Sequence, residues 1–253
     1  MSDPLFNVSG SVVLISGAAR GLGLALSRGL AARGAHIILT DRLEEEGQTA
    51  CRGLDGTGHH FVAMDVTDAD SCTAAVQTAI DTHGRLNAVI NSAGIAEFAP
   101  ALEMPRATFQ RTLDINVTGA LLLSQAAARV MMPQGGGRIV HLASVSSTVV
   151  NPEYTAYSTS KAALSQLVRL LALEWAPHQI TVNAIGPAMT PTPLTEAHLL
   201  AAEDRRERAL AKIPLGRFGT TDDLLGAALL LVSQAGRFMT GQTLFVDGGR
   251  TLL

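Results

Sequence analysis

Cysteine is scarce in this chain: Cys51 and Cys72 are the two among 253 residues. Two cysteines without metal-ligand spacing predict neither a disulfide framework nor a thiolate metal site. The histidines and acidic residues show no metal-ligand spacing either. We therefore expect reduced thiols, no bound metal and a cytoplasmic location.

Long apolar runs and concentrations of basic charge are also missing. No stretch approaches the ~18–20 uninterrupted apolar residues of a membrane span, since even the segment around Leu122 is interrupted by Ser124 and Arg129. The start of the chain lacks the basic and apolar segments of a secretory signal. With a formal net charge of −3 and no basic stripe, the sequence indicates neither a membrane nor a nucleic-acid partner.

What the sequence has instead is an alternation of short apolar runs and longer helical patterns. Continuous apolar runs are typical of strands buried on both faces of a parallel sheet, and they occupy residues 11–16, 35–40, 60–64, 86–90, 138–142, 180–185 and 243–246. Helical patterns occupy residues 21–33, 68–82, 107–132, 157–175 and 222–233. This predicts an α/β fold, a Rossmann-type doubly wound parallel sheet of about seven strands flanked by helices. We expect one domain spanning residues 1–253.

One charged segment fits no strand position in this scheme. A Pro/Thr-rich stretch at 187–193 leads into a charged helical pattern at 194–212. Ligands of doubly wound sheets bind beyond the carboxyl ends of the strands, so we expect an insertion at about 190–214 to form a small helical lid over that cleft. Its arginines alternate with acids, which favours a solvated helix face over a clamp for an anionic substrate.

A glycine-rich loop follows the first predicted strand and opens the first predicted helix. Glycines let the backbone approach a pyrophosphate closely, and a helix N-terminus offers N–H donors and a positive dipole. The alternative is an ordinary glycine-rich turn, but the strand–loop–helix context favours a nucleotide site. The binding residues predicted here are Gly17, Arg20, Gly21, Leu22 and Gly23.

An acidic residue ends the second predicted strand. Asp41 lies near the ~20-residue offset at which a carboxylate binds the adenosine ribose of a dinucleotide. It would accept hydrogen bonds from the 2′- and 3′-hydroxyls and repel a 2′-phosphate, so NAD is favoured over NADP. Arg20 and Arg42 complicate this choice, since either guanidinium could pair with a phosphate or be a solvated surface charge.

Two further strand ends carry residues suited to the adenosine half of a dinucleotide. Asp65, followed by Val66, could accept a hydrogen bond from the adenine amino group, or it could cap the helix starting at residues 67–68. Asn91, Ala93 and Gly94 end the fourth predicted strand, where small residues permit close approach of a cofactor.

A phenol and an ammonium group lie four residues apart at Tyr157 and Lys161, on one face of a predicted helix. A neighbouring cation lowers the pKa of a tyrosine from ~10, which would suit proton transfer near neutral pH. The alternative is an exposed helical pair without chemistry. Glu153 and Tyr154 precede the pair closely enough to touch a substrate, or they belong to a solvated loop.

In order and spacing, these motifs resemble the short-chain dehydrogenase/reductase family over nearly the whole chain. The family has Thr where this chain has Ser16, a second Asn where it has Ser92, and Gly where it has Ala188. The resemblance implies that the catalytic residues are Asn116, Ser144, Tyr157 and Lys161. It also implies cofactor contacts from Tyr157, Lys161, Pro187, Thr190 and Thr192.

The resemblance implies hydride transfer between NAD and a small secondary alcohol or ketone, such as a polyol or a sugar derivative. Tyr157 would be the general acid–base, with Lys161 lowering its pKa, while Ser144 would bond the substrate oxygen and Asn116 would hold a water. A homotetramer is implied as well. One alternative is an NADP-dependent 3-oxoacyl thioester reductase, against which Asp41 argues. Another is a non-catalytic dinucleotide-binding protein, against which the retained catalytic groups argue.

Overall fold

The computed structural model of this chain describes residues 3–196 and 203–253. These residues form one sheet of seven parallel strands: β1 Val12–Ser16, β2 His36–Asp41, β3 His60–Ala63, β4 Ala88–Asn91, β5 Gly137–Leu142, β6 Ile180–Pro187 and β7 Thr243–Val246. The strand order is β3-β2-β1-β4-β5-β6-β7, so the direction of winding reverses between β1 and β4. The predicted doubly wound, Rossmann-type sheet is confirmed, and its switch point is where such sheets bind ligands.

Helices cover both faces of the sheet. They are α1 Gly21–Ala31, α2 Glu44–Arg52, α3 Ala69–His83, α4 Arg106–Leu113, α5 Gly119–Met131, α6 Thr155–Trp175, α7 Pro193–Glu196, α8 Glu203–Leu210 and α9 Thr221–Val232. One apolar core joins the sheet to α3, α5 and α6, and a second joins it to α1 and α9. Among the described helices, none is long and apolar enough to cross a membrane.

The strands are apolar throughout because both of their faces are covered. Ile15 of β1 and Ile90 of β4 are fully buried, as are their neighbours Leu14 and Val89 on the opposite face. Each such side chain contributes about 1.5–3 kcal/mol when it leaves water. The predicted strand and helix boundaries agree with the structure to within two residues, apart from the differences described next.

The helical predictions differ from the structure in two places. The predicted helical segment 107–132 is helical throughout 106–131, but a π-helix at Asp114–Thr118 separates α4 from α5 within it. The helix α2 was not predicted at all, because it begins with three glutamates and buries only Gly47 and Ala50. A helix with so narrow a buried face has no apolar periodicity to reveal it.

The segment predicted as a lid contains α7 and α8. Residues 197–202 of that segment lie outside the described residues. Of the described part, Pro193, Thr195, Arg205 and Lys212 face the large cavity at the carboxyl ends of the strands. The insertion therefore contributes a wall to that cavity.

Candidate active site

A cavity of about 1480 Å³ opens beyond the carboxyl ends of the strands. Most of the predicted site residues line it: Gly17, Arg20, Gly21, Leu22, Asp41, Arg42, Asp65, Val66, Ala93, Gly94, Ser144, Tyr157, Lys161, Pro187, Thr190 and Thr192. Gly23, Asn91 and Asn116 do not line it, because they are buried behind its wall. The structure thus brings the predicted residues together at one cavity, although Gly23, Asn91 and Asn116 lie beneath its lining rather than on it.

The glycine loop between β1 and α1 packs directly against the end of β4. Gly17 and Gly21 have φ angles of +63° and +60°, which residues with a Cβ rarely adopt. A Cβ at Gly17 would lie 2.8 Å from the backbone nitrogen of Ala93, and a Cβ at Gly23 would strike the Gly17 carbonyl. Arg20, Gly21 and Leu22 line the cavity, so the first turn of α1 faces it. Because the N-cap residue Arg20 makes no side-chain capping bond, the N–H groups of that turn suit an anion.

Asp41 is held at the end of β2 by two backbone groups. Its Oδ2 accepts a hydrogen bond from the nitrogen of Ala19 at 3.0 Å, and its Oδ1 accepts one from the nitrogen of Leu43 at 3.1 Å. The next residue, Arg42, is exposed, and its Nη1 lies 3.8 Å from Oδ2 of Asp65. The carboxylate is therefore anchored in the cavity wall, whereas the guanidinium lies at the surface beside a second acid.

Asp65 does not cap α3, so that alternative was wrong. The N-cap is Asp68, whose carboxylate accepts a hydrogen bond from the nitrogen of Asp70 at 2.9 Å. Asp65 instead closes the preceding turn, accepting from Oγ1 of Thr67 at 2.7 Å and from its nitrogen at 2.9 Å. These bonds hold the pKa of Asp65 below its ordinary value. The carboxylate stays ionised at the cavity wall, and a role toward adenine remains a prediction.

The residues implied to be catalytic meet where β5 ends and α6 begins. Ser144 begins the 3-10 helix Val145–Ser147, and its Oγ accepts a hydrogen bond from the nitrogen of Ser146 at 3.1 Å. Its hydroxyl also lowers the pKa of Tyr157, which lines the same cavity. Lys161 lies one turn along α6, with its Nζ 5.7 Å from the centre of the Tyr157 ring. That ammonium donates to the carbonyl of Leu142 at 2.7 Å.

The predicted effect of Lys161 on Tyr157 is not found in this structure. Burial raises the pKa of Tyr157 above its ordinary value, and the Ser144 hydroxyl offsets only part of that rise. Lys161 is itself 6% exposed, and burial lowers its pKa to about 8. Its ammonium is directed to the Leu142 carbonyl, and the group that lowers the pKa of Tyr157 in this structure is Ser144 rather than Lys161.

Asn116 lies on the π-helix and connects three parts of the site. Its Oδ1 accepts a hydrogen bond from the nitrogen of Ile95, and its Nδ2 donates to the Ile95 carbonyl and to Oγ of Ser160, each at 2.9 Å. Ser160 in turn donates to the carbonyl of Tyr157 at 2.7 Å. A Cβ at Gly94 would lie 3.1 Å from Oδ1 of Asn116. The π turn therefore turns this amide toward both the β4 loop and α6.

A row of buried polar side chains crosses the three central strands. Ser16, Asn91 and His141 are register partners on β1, β4 and β5. Ser16 accepts from the nitrogen of Ala93 at 3.2 Å and donates to Asn91 Oδ1, while Asn91 Nδ2 lies 3.4 Å from His141 Nδ1. His141 Nε2 lies 3.1 Å from Oγ of Ser124. Burial and the charge of Lys161 lower the pKa of His141 to about 3, so the ring is neutral. Sequence reasoning did not find this row, although its signal was three polar residues at the ends of apolar strands.

The loop after β6 is organised by a threonine that the sequence analysis missed. Thr195 accepts a hydrogen bond from the nitrogen of Thr192 at 2.8 Å and donates to the carbonyl of Thr190 at 2.9 Å. Gly219 packs behind this loop, where a Cβ would lie 2.8 Å from Oγ1 of Thr190. Thr195 thereby holds together the two threonines predicted to contact a cofactor.

Four histidines cluster at the opposite edge of the sheet, where β2 and β3 begin. The His36 ring stacks on the His83 ring at 4.8 Å, and the His60 ring meets His83 edge-on at 5.6 Å. Burial, together with the neighbouring His36, His60 and His59, lowers the pKa of His83. Within residues 3–196 and 203–253, no group of His, Cys, Asp and Glu side chains is arranged to hold a metal ion.

Comparison with known proteins places this geometry in a family. The family model described as enoyl-(acyl carrier protein) reductase matches residues 17–251. The chain is 36% identical to gluconate 5-dehydrogenase of Gluconobacter oxydans (strain 621H), covering 100% of this chain and 99% of that protein. It is 38% identical to D-threitol dehydrogenase of Mycolicibacterium smegmatis, covering 98% and 95%.

A solved structure agrees with these relatives. The crystal structure of a gluconate 5-dehydrogenase from Burkholderia cenocepacia J2315, in complex with NADP and tartrate, matches with a TM-score of 0.93 and 33% identity. The match covers 99% of this chain and 98% of that one. On the motifs, the fold and these matches, the chain belongs to the short-chain dehydrogenase/reductase family.

Proposed function

We propose that this protein transfers hydride between NAD and a secondary alcohol or ketone of the polyol or sugar class. The observation that carries the proposal is the meeting of Ser144, Tyr157 and Lys161 in the cavity that the glycine loop also lines. The dehydrogenase names of the two relatives support the substrate class. When bound, the nicotinamide cofactor would supply the hydride acceptor or donor.

The residues present fit a dinucleotide. Gly17 and Gly94 line the cavity and pack without side chains against Ala93 and Asn116, so backbone forms that part of the wall. The first turn of α1 offers N–H donors to a pyrophosphate. Lys161 also lines the cavity, and its ammonium, which gives one N–H to the Leu142 carbonyl, has further N–H donors that would serve a ribose hydroxyl.

The catalytic side chains divide the proton chemistry among them. Ser144 donates a hydrogen bond to the substrate oxygen and stabilises its developing charge. Tyr157 takes the hydroxyl proton in oxidation and returns it in reduction. Lys161, with a pKa lowered to about 8, brings a cation that can also exchange a proton near neutral pH. Asn116 holds the loop at Ile95 and the helix at Ser160, which keeps these groups in position.

Asp41 supports NAD as the preferred cofactor. Its carboxylate is fixed by Ala19 and Leu43 rather than free to turn away, so a 2′-phosphate would meet a stationary negative charge. The B. cenocepacia relative is in complex with NADP, so the preference needs a direct test. Asp41→Asn removes the charge but keeps one acceptor oxygen, and we expect it to weaken NAD binding relative to NADP. Asp55→Ala, at an exposed position, is the control; an unchanged cofactor ratio in Asp41→Asn contradicts the assignment.

The activity is tested with Tyr157→Phe. Following reduced-nicotinamide absorbance with a panel of polyols, sugar acids and secondary alcohols, we expect turnover to fall by at least ~10², the lower end for a lost acid–base group. Cofactor binding, measured by titration, should be retained. Tyr154→Phe, at the neighbouring cavity tyrosine, should change turnover much less. Near-normal turnover in Tyr157→Phe would overturn the mechanism.

Two alternatives predict different outcomes in the same assays. A 3-oxoacyl thioester reductase would prefer NADP and an acyl thioester, and Asp41 disfavours it. A non-catalytic binding protein would bind the cofactor without turning over any alcohol, and the presence of Ser144, Tyr157 and Lys161 in one cavity disfavours it.

The proposal includes a single domain at residues 1–253, a homotetramer and a cytoplasmic location. Free thiols at Cys51 and Cys72 support the location, and burial raises the pKa of Cys72 to about 11. Sedimentation analysis of the purified chain tests the assembly. Limited proteolysis tests the single domain, which should resist cleavage into separately folded parts.

A further inference from the structure

We propose that Glu153 is a specificity-determining residue whose carboxylate binds substrate hydroxyl groups in the cavity that Ser144 and Tyr157 also line. This inference rests on the proposed function. The Glu153 carboxylate would make the site select a polyhydroxylated substrate over a plain secondary alcohol.

The backbone at Glu153 is held in an unfavourable conformation. Its φ angle is +70°, in the left-handed region that residues with a Cβ avoid. The carbonyl of Glu153 accepts a hydrogen bond from the nitrogen of Ala99 at 3.1 Å, and Ala99 also forms a β-bridge with Tyr154. The loops that follow β4 and β5 thus clamp this residue in place. Glycine or asparagine would adopt this backbone with less strain, so the backbone conformation does not itself call for a glutamate.

Glu153 lines the cavity, and its carboxylate has no internal partner among the described residues. Glu153 is exposed and lines the cavity together with Tyr157. Across the described ranges, its carboxylate makes no hydrogen bond and no ion pair. Burial, the neighbouring Tyr157 and, least of the three, the charge of Glu153 raise the pKa of Tyr154. The Tyr154 ring centre is 6.3 Å from that of Tyr157 and 4.5 Å from that of Phe98. An acceptor with unused lone pairs therefore lines the cavity that the catalytic tyrosine also lines.

The surrounding groups complete a set suited to a molecule with several hydroxyls. Lys212, just after α8, donates from Nζ to Oδ1 of Asn151 at 2.9 Å, and both residues line the same cavity. Asn151 and Lys212 retain N–H donors for substrate oxygens, while Glu153 accepts from substrate hydroxyls. Two carboxylate oxygens can accept from neighbouring hydroxyls at once. A plain alkanol satisfies none of these groups and would place methylene groups against charges.

The test compares substrates of equal length in two forms of the enzyme. Tetritols, pentitols and hexitols are each paired with the secondary alkanol of the same chain length, and kcat/KM is measured with saturating NAD. The unmodified protein should prefer the polyol. Glu153→Gln, which keeps the shape and removes the charge, should lower kcat/KM for the polyol by about tenfold or more, as expected for a lost hydrogen bond to a charged group. The value for the alkanol should change by less than about threefold.

A second pair of variants separates recognition from loop stability. Gln179 has a φ angle of +58° and does not line the cavity, so it matches Glu153 in backbone strain alone. Both Glu153→Gly and Gln179→Gly should keep the thermal midpoint at or above that of the unmodified protein, because glycine relieves the strain. Glu153→Gly alone should lose the preference for the polyol.

The outcomes that overturn the inference are distinct from those that overturn the proposed function. An unchanged polyol-to-alkanol ratio in Glu153→Gln, or an equal fall for both substrates, overturns the role of Glu153. Calorimetric titration of the polyols into the protein with reduced cofactor provides a readout without turnover. If no alcohol is oxidised, the proposed function fails. Polyol binding that weakens in Glu153→Gln still supports the inference, whereas binding that is absent or insensitive to the substitution overturns it.

Discussion

Replacing Asn116 with alanine should weaken the fold and the active site together. The substitution removes the three hydrogen bonds that Asn116 makes, two to the peptide groups of Ile95 and one to Ser160. Asn116 is 1% exposed, so water cannot replace its amide. At about 1 kcal/mol for each bond, the lower end for groups left unpaired, the loss is ~3 kcal/mol. For a chain of this length, that corresponds to a fall of roughly 6–12 °C in the thermal midpoint.

The assay combines thermal unfolding with a double-mutant cycle. Ser160→Ala removes the partner that also donates to the Tyr157 carbonyl. The pair Asn116→Ala and Ser160→Ala should show a coupling free energy of about 0.5 kcal/mol or more, since contacting residues are not additive. Thr118→Ala, at an exposed position on the same π-helix, is the matched control and should stay within about 0.5 kcal/mol of the unmodified protein.

A small effect would refute this account. If Asn116→Ala lowers the midpoint by less than about 2 °C and its effect adds simply to that of Ser160→Ala, then these bonds do not hold the β4 loop to α6. The loss of activity in the variant would then need a chemical rather than a positional cause.

Two further predictions concern pH. Burial lowers the pKa of Lys161 from 10.5 to about 8, so between these values the unfolded chain holds a proton that the folded chain has released, and stability rises with pH. We compare the free energy of unfolding of the unmodified protein with that of Lys161→Met, measured with denaturant from about pH 7 to pH 10.5. The difference should change by ~3 kcal/mol in favour of the unmodified protein over this range, and a difference that stays constant contradicts the prediction. Because the pKa of His83 is lowered, the unfolded chain takes up its proton first as pH falls, so His83→Gln should lose less stability than the unmodified protein between about pH 7 and pH 5. If the two proteins lose equal stability over this pH range, the histidine cluster does not oppose the protonation of His83.

The strands and most helices were predictable because burial leaves a simple pattern. Runs such as Val12–Ser16 are apolar at every position, and glycines punctuate their ends. The helix α2 left no such pattern, since Glu44–Arg52 is almost entirely exposed and packs mainly through Gly47 and Ala50. The π turn at Asp114–Thr118 was equally hidden, because one wider turn does not disturb the spacing of apolar residues enough to be seen.

The site was predictable as a set of residues but not as a set of contacts. Strand ends and the Tyr157–Lys161 spacing indicated which side chains share a cavity. Sequence spacing does not indicate how deeply a side chain is buried. Burial raises the pKa of Tyr157, and the buried ammonium of Lys161 is directed to the Leu142 carbonyl. The left-handed backbone of Glu153 depends on the clamp by Ala99, a contact between distant loops that no local pattern reveals.

The row formed by Ser16, Asn91 and His141 bears on how the sheet selects its alignment during folding. Strands that are apolar on both faces could slide past one another by one residue and still bury apolar surface. A slip of that kind would move one of these polar groups to the other face, away from its partner. A single row of hydrogen bonds in an apolar core can thus destabilise shifted strand registers that apolar burial alone would not distinguish from the native one.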